Sequence, residues 1–165
     1  MKCKTMCIDR LRELLQYDPQ TGVITRLSVK PRSPAKVGDV AGNPDSYGYL
    51  QLYVEGKAFK AHRIAWALMT GAWPENVIDH INGSKGDNRW INLRDVTLSV
   101  NSQNQLQANA RNTHGFMGVI KNRNLWMASI RLSGKSKCIG TYKTPELAHQ
   151  AYLTAKRQHH AGCTI

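Results

Sequence analysis

Asp79 and His80 stand side by side in Val77-Ile78-Asp79-His80-Ile81-Asn82-Gly83, and the carboxamides Asn88, Asn92 and Asn101 follow downstream. The Asp79 carboxylate and the Asn101 amide oxygen suit a hard cation, Mg²⁺ or Mn²⁺, far better than zinc. Two protein ligands leave most of the coordination shell to water and substrate phosphate oxygens, where an ion can neutralise charge on a phosphodiester and its leaving oxygen. His80 is the candidate base, because an ordinary imidazole pKa of ~6.5 leaves it largely neutral near pH 7 and able to take a proton from water. Neighbouring residues of a regular strand point to opposite faces. That does not count against the pair, because in-line displacement wants base and leaving-group metal on opposite sides of phosphorus.

The surrounding residues dictate how such groups would be held. Val77 to Ile81 reads as a short strand, with two apolar β-branched residues leading into the polar pair. Asn82-Gly83 and Lys85-Gly86-Asp87-Asn88 force a loop. Asn92 to Val96 can return as a second strand, and Thr97 or Ser99 can cap a helix that carries Asn101. Taken singly, Asp79 reads as a turn former, and Asn82, Asn88 and Asn92 as loop residues with ordinary Asx hydrogen bonds. Their joint order, strand, loop, strand and capped helix around an acid–imidazole pair, points to a site. For Asn101 the two readings balance, since Asn104 and Asn109 lie on the same helical stretch. His62 opens the apolar segment Ile64 to Met69 and reads as structural support, hydrogen-bonding beneath the site.

This pattern resembles the HNH nucleases with the ββα-metal motif, within them the phage and intron-borne homing type. The residues that carry the resemblance are His62-Arg63, Asp79 to Gly83, Asp87 to Arg89, Asn92 to Arg94, and Asn101. The resemblance implies Asp79 and Asn101 as metal ligands and His80 as general base. It implies that Asn92 belongs to the catalytic set by bracing the loop through hydrogen bonds, with no chemical step of its own. Asn101 stands where the last His of the motif's name would be, as in the homing branch, and keeps an oxygen donor. Lys85 or Arg94 is expected to steady a phosphate, and Asn88 to support the loop.

The chain has 165 residues and a net charge of +12, with 23 Lys and Arg against 11 Asp and Glu. Such an excess favours polyanionic partners, because each neutralised phosphate releases condensed counterions. No apolar run approaches the ~20 residues of a membrane span. The start, Met1 to Cys7, leads into a charged helix with no apolar leader, so the expected location is cytoplasmic, that of the host cell if the chain is phage-encoded. Cys3, Cys7, Cys138 and Cys163 contain no Cys-x-x-Cys pair, and they read as free thiols with no structural zinc.

Ahead of the motif, Ile8, Leu11, Leu14 and Leu15 repeat at helical spacing, and Tyr17-Asp18-Pro19-Gln20-Thr21-Gly22 stops the helix. Val23 to Leu27 reads as a strand, residues 30–44 as a proline-bearing loop, and Tyr49 to Ala61 as a hairpin turning at Glu55-Gly56-Lys57. His62 to Thr70 is helical. This front half supplies the core that two short strands and a helix cannot bury alone.

The composition shifts after Gln107. Residues 109–115 read as a linker, and three strands follow over 116–121, 125–132 and 137–142. Thr144-Pro145-Glu146 then opens a helix with cap, first-turn proline and early acid in place. The segment resembles the plant APETALA2/ethylene-response DNA-binding domain, which also occurs fused to phage HNH nucleases. Gly118-Val119, Trp126, Ile130-Arg131, Ile139 to Tyr142, Ala148, Ala151 and Tyr152 carry that resemblance. It implies a sheet laid in the major groove, with Lys121, Arg123, Arg131 and Lys137 as the DNA-contacting set. Met117 and Cys138 replace the family's Arg and Trp, and Trp126 reads as core.

The expected fold is thus α+β. A nuclease domain over 1–108, built from a small antiparallel sheet and a ββα-metal core at about 77–106, precedes a linker and a three-stranded antiparallel sheet packed on one helix over 116–165. The expected activity is metal-dependent endonucleolytic hydrolysis of double-stranded DNA, as a nickase or a double-strand cutter, with one Mg²⁺ or Mn²⁺ and no small-molecule cofactor or membrane partner. A non-cleaving DNA-binding regulator on the same scaffold is the alternative. An RNA-binding role is weaker, since few aromatics are placed to stack unpaired bases.

Overall fold

The computed structural model describes residues 6–105, 112, 114–160 and 162–164. These form two compact units, 1–97 and 98–165. The boundary expected from the sequence lies at 108, so the helix carrying Asn101 groups with the second unit instead of the first. Most of the expected linker, residues 109–111 and 113, lies outside the described residues, as does Cys3.

The first unit opens with α1 (Ile8–Leu14), which passes without a loop into β1 (Leu15–Tyr17). The expected helix stop at Tyr17 is therefore already strand. Leu15 adopts an extended backbone (φ −139°) and pairs with Arg26 of β2 (Ile24–Arg26), while Tyr17 pairs with Ile24. Strand pairing wins here because Leu11 and Leu15 both reach the same buried cluster, with Ile24, Leu52, Val54, Ala61 and Ile64. The β1–β2 turn is fastened by Asp18, whose carboxylate accepts from Gln20 N at 2.9 Å and Thr21 Oγ1 at 2.7 Å.

A three-stranded antiparallel sheet follows in the order β3 (Asn43–Pro44), β4 (Leu50–Val54), β5 (Lys57–Lys60). Its β4–β5 turn places Glu55 and Gly56 at φ 50° and 82°, the left-handed pair that a two-residue hairpin requires. Helix α2 (Ala61–Thr70) buries Ala61, His62, Ile64, Ala65 and Ala67, and ends at Gly71 in the left-handed region. Then β6 (Val77–His80) pairs antiparallel with β7 (Leu93–Val96), setting Asp79 opposite Arg94 and His80 opposite Leu93. Ala65, Ile78 and Leu93 form a small core beneath this hairpin, with Tyr17 and Trp66 packed against it.

The second unit begins with α3 (Leu98–Gln103) and continues as β8 (Val119–Asn122), β9 (Leu125–Leu132), β10 (Lys135–Tyr142) and α4 (Pro145–His159). The three strands are antiparallel in the order β10-β9-β8, and α4 packs on them through Val119, Ala128 and Ala148. Thr144 caps α4 by accepting from Leu147 N, with Pro145 in the first turn. Gly118 (φ 70°) is required by a close approach: a Cβ there would lie 2.0 Å from Tyr152 Cδ2. No described helix is long and apolar enough to cross a membrane.

Candidate active site

β6 presents three buried residues in succession, Ile78, Asp79 and His80, because both of its faces are covered. Asp79 is 6 % exposed, and its carboxylate faces the cross-strand partner that the register dictates. Arg94 donates to Asp79 Oδ2 from both Nε (2.9 Å) and Nη2 (2.7 Å). Arg94, expected to steady a phosphate, is thus engaged with the candidate metal ligand.

His80 is 4 % exposed. Its Nε2 lies 3.0 Å from Asn88 Oδ1; with that amide oxygen as acceptor, Nε2 carries the proton and the basic lone pair is on Nδ1. Burial lowers the His80 pKa from the ordinary imidazole value, opposed by the Asn88 hydrogen bond and the charges of Asp79 and Asp87. The imidazole is neutral near pH 7, as a base must be. Around it sit two rings: Tyr49 at 5.9 Å and His62, edge-on, at 5.1 Å between centroids. His62 meets His80 through this ring contact. Its expected hydrogen bond is not formed: His62 Nδ1 is buried without a partner among the described residues. Burial first, then the charges of His80, Arg63 and Lys60, push its pKa down to about 3.

The loop between β6 and β7 is held by Asn92, which sits in a single 3₁₀ turn (Trp90–Asn92) and is buried. Its Oδ1 accepts from Asn82 N at 2.9 Å and its Nδ2 donates to the Asp87 carbonyl at 2.7 Å. Both ends of its amide are spent on loop backbone, so Asn92 holds the shape of the loop. Asp87 adds a second fastening. It accepts from Arg89 Nε and Nη2 and from Asn82 Nδ2, and the Arg89 guanidinium holds its carboxyl well below the usual range. Lys85 is exposed, its ammonium 3.0 Å from the Tyr47 carbonyl and 5.1 Å from the centroid of the Tyr49 ring.

Asn101 stands half-buried on α3 in the second unit. The end of that helix and the two residues after it are tied within the same unit: Gly162 N donates to Gln103 Oε1, Thr164 Oγ1 to Asn104 Oδ1, and the buried Lys156 ammonium to the Gln105 carbonyl. Asp79 is a buried carboxylate, the kind of oxygen donor that a hard divalent ion takes, and such an ion keeps water and phosphate oxygens in its shell. Among the described residues no cluster of three or more His, Cys, Asp or Glu is present. Cys7 and Cys138 are free thiols.

The expected DNA-contacting set does not share one face of the C-terminal sheet. Directly paired residues project to the same side. Lys121 is opposite Trp126 and Lys137 opposite Ile130, on the side where Ile130 is buried and Trp126 packs against the helix-side core. Arg131 pairs with Ser136 on the other, open side, and Arg123 sits in the β8–β9 turn at φ 53°. The Lys121 ammonium lies 5.7 Å from the Trp126 ring centroid, and Trp126 is half-buried against the core.

Sequence reasoning misses two residues at the site. Tyr17 Oη donates to the Asn88 carbonyl at 2.7 Å, and Gly22 abuts the Asn88–Arg89 peptide. Both belong to the stretch Tyr17 to Gly22, whose local signature in the sequence is only that of a helix stop. A cavity of about 760 Å³ lined by Arg10, Arg26, Lys30, Arg32, Tyr53 and Glu55 contains none of the candidate site residues.

Residues 59–103, from β5 to the end of α3, match the family described as HNH endonuclease. Among solved structures, the chain is similar to one described as DNA binding and cleavage by the HNH homing endonuclease I-HmuI, at 22 % identity and a TM-score of 0.41, over 90 % of this chain and 88 % of that one. No curated protein matches the chain.

Proposed function

We propose that the chain is a metal-dependent endonuclease of the HNH homing type, which hydrolyses phosphodiester bonds of double-stranded DNA. The observation that carries this reading is the buried, neutral His80, oriented by Asn88, beside the Asp79 carboxylate, within the segment that matches the HNH endonuclease family. His80 Nδ1 takes a proton from the attacking water. Asn88 holds the tautomer, and Asn92 and Asp87 hold the loop that carries Asn88. Asp79 is the metal ligand of β6, and Asn101 is assigned as the second ligand on the sequence pattern. A divalent ion bound there, Mg²⁺ or Mn²⁺, supplies neutralisation of charge on the phosphodiester and its leaving oxygen. Lys85 offers an ammonium to a phosphate, and the C-terminal sheet, similar in pattern to the APETALA2-type domain, places the chain on its target.

A second reading is favoured by one ion pair. Arg94 neutralises Asp79, as it would in a DNA-binding regulator that keeps the frame without the chemistry. Incubating the purified protein with duplex DNA and with RNA, in Mg²⁺, Mn²⁺ or EDTA, separates the readings. The nuclease cuts duplex DNA only with metal, and the product form, nicked or linear, gives the number of strands cut. DNA binding without cleavage in any metal, on a phage genomic library of sites as well as on plasmid, supports the regulator.

A further inference from the structure

The β1–β2 hairpin lies outside the family match and outside every residue the candidate chemistry uses, yet it grips the segment that holds His80. Tyr17 Oη donates to the Asn88 carbonyl at 2.7 Å. Trp90 N donates to the Pro19 carbonyl at 2.9 Å. Gly22, at φ 77°, leaves no room for a side chain: a Cβ there would meet Arg89 N at 2.5 Å and Asn88 C at 2.6 Å.

Asn88 needs such support. It lies in a loop with glycines at 83 and 86, outside strand and helix, and its side chain is almost wholly buried. Its Oδ1 holds His80 Nε2, while its Nδ2 reaches the Gly86 carbonyl only at 3.5 Å, so the amide is weakly fixed from its own loop. The hairpin fixes the main chain instead. Tyr17 is well founded for this, because its ring packs on Ala65, Ile78 and Leu93, the same cluster that carries β6. Burial, reinforced by the charges of Asp18 and Asp87, pushes the Tyr17 pKa up to about 12, so the phenol remains a donor throughout the neutral range.

We propose that the β1–β2 hairpin is a positioning element for the general base: Tyr17 and Gly22 fix the backbone of Asn88, and Asn88 fixes the imidazole of His80. The inference rests on the reading of His80 as base. Tyr17 and Gly22 act through Asn88, the residue whose backbone they meet. The HNH segment of this chain is thus incomplete without the hairpin that precedes it.

The test compares Gly22→Ala with Gly56→Ala. Both glycines are left-handed, at φ 77° and 82°, so alanine meets similar backbone strain, but nothing lies within 4 Å of the Cβ position at Gly56. Tyr17→Phe removes the hydrogen bond while keeping the ring, and guards against a Gly22→Ala protein that fails to fold. Single-turnover cleavage of bound duplex, DNA affinity, and the ¹⁵N shifts of the His80 imidazole are read together. Gly22→Ala is expected to slow cleavage of bound DNA by about 10- to 100-fold, and Tyr17→Phe by about 3- to 10-fold, with affinity kept. Gly56→Ala cleaves like wild type. The His80 proton, on Nε2 in wild type, becomes shared between the two nitrogens in Gly22→Ala and Tyr17→Phe. Cleavage by both site variants at the Gly56→Ala rate, or a loss confined to DNA affinity, overturns the proposal. Should wild type fail to cleave at all, the nuclease reading falls, and the imidazole shifts still decide the positioning: identical His80 signals in wild type and both variants overturn it.

Discussion

Arg94→Met isolates the competition between a guanidinium and a cation for Asp79. The two Arg94 nitrogens sit 2.7 and 2.9 Å from Asp79 Oδ2, with the aspartate side chain 7 % and the arginine side chain 26 % exposed. Unit charges 2.7 Å apart attract by about 6 kcal/mol at an effective dielectric of ~20 and by about 1.5 kcal/mol in bulk water. Removing one partner of a wholly buried pair costs ~3–5 kcal/mol, because it strands the other charge. With Arg94 a quarter exposed, a loss of about 2–3 kcal/mol is expected for Arg94→Met in EDTA. A divalent ion bound at Asp79 would replace the missing positive charge. Each 1.4 kcal/mol of removed competition tightens binding about tenfold, so Mg²⁺ or Mn²⁺ should restore stability to the variant at concentrations that barely affect wild type. Thermal unfolding of wild type, Arg94→Met and the double variant Arg94→Met with Asp79→Asn, in EDTA and across a metal titration, measures this directly. Equal metal-induced shifts in all three proteins would refute the assignment of Asp79 as a metal ligand. An Arg94→Met protein as stable as wild type in EDTA would refute the electrostatic account of the pair.

Three further outcomes rest on the same geometry. Asn92→Ala removes the two hydrogen bonds that span the β6–β7 loop and should cost about 2–3 kcal/mol in urea unfolding, with slowed cleavage and retained DNA affinity. His62, pushed down to about 3 by burial, makes the unfolded chain bind the extra proton between about pH 3 and its ordinary value near 6.5. Its contribution is therefore complete above pH 6.5 and lost as pH falls, with a slope of up to about 1.4 kcal/mol per pH unit; His62→Phe should flatten that part of the stability–pH profile. Changing Arg123 and Arg131 together to Ala should weaken duplex binding and reduce the salt dependence by about one unit of log–log slope for each phosphate that is no longer neutralised. Cleavage per bound complex should remain, and an unchanged salt slope would remove both residues from the interface.

Much of this arrangement is legible from residue order. Val77-Ile78 before Asp79-His80, glycines after them, and the apolar return at Leu93 specify the β6–β7 hairpin, and Thr144-Pro145-Glu146 specifies the start of α4 by local capping chemistry. What the order does not carry is pairing across the chain. Asp79 and Arg94 become partners only through strand register, whereas residue order alone assigns Arg94 to phosphate. Tyr17 and Gly22 lie far from Asn88 in sequence, and the turn they belong to has the same local signature whether it merely ends a helix or docks on a loop. Lys121, Arg131 and Lys137 look equivalent as bases in a sequence, but strand parity divides them between the two faces of the sheet. His62 is expected to hydrogen-bond, and its ring is instead packed edge-on against His80. Leu15 to Tyr17 continue the apolar spacing of α1, yet pairing with β2 takes them into a strand.

The most direct test of the account is cleavage of supercoiled plasmid by wild type and His80→Ala in Mg²⁺ or Mn²⁺, with EDTA as control and DNA affinity measured alongside. The account predicts metal-dependent nicking or linearisation by wild type, and a loss of about 10²- to 10⁴-fold in His80→Ala with binding kept. Equal cleavage by both proteins, or a His80→Ala protein that has lost DNA binding while its turnover per bound complex is unchanged, would contradict it.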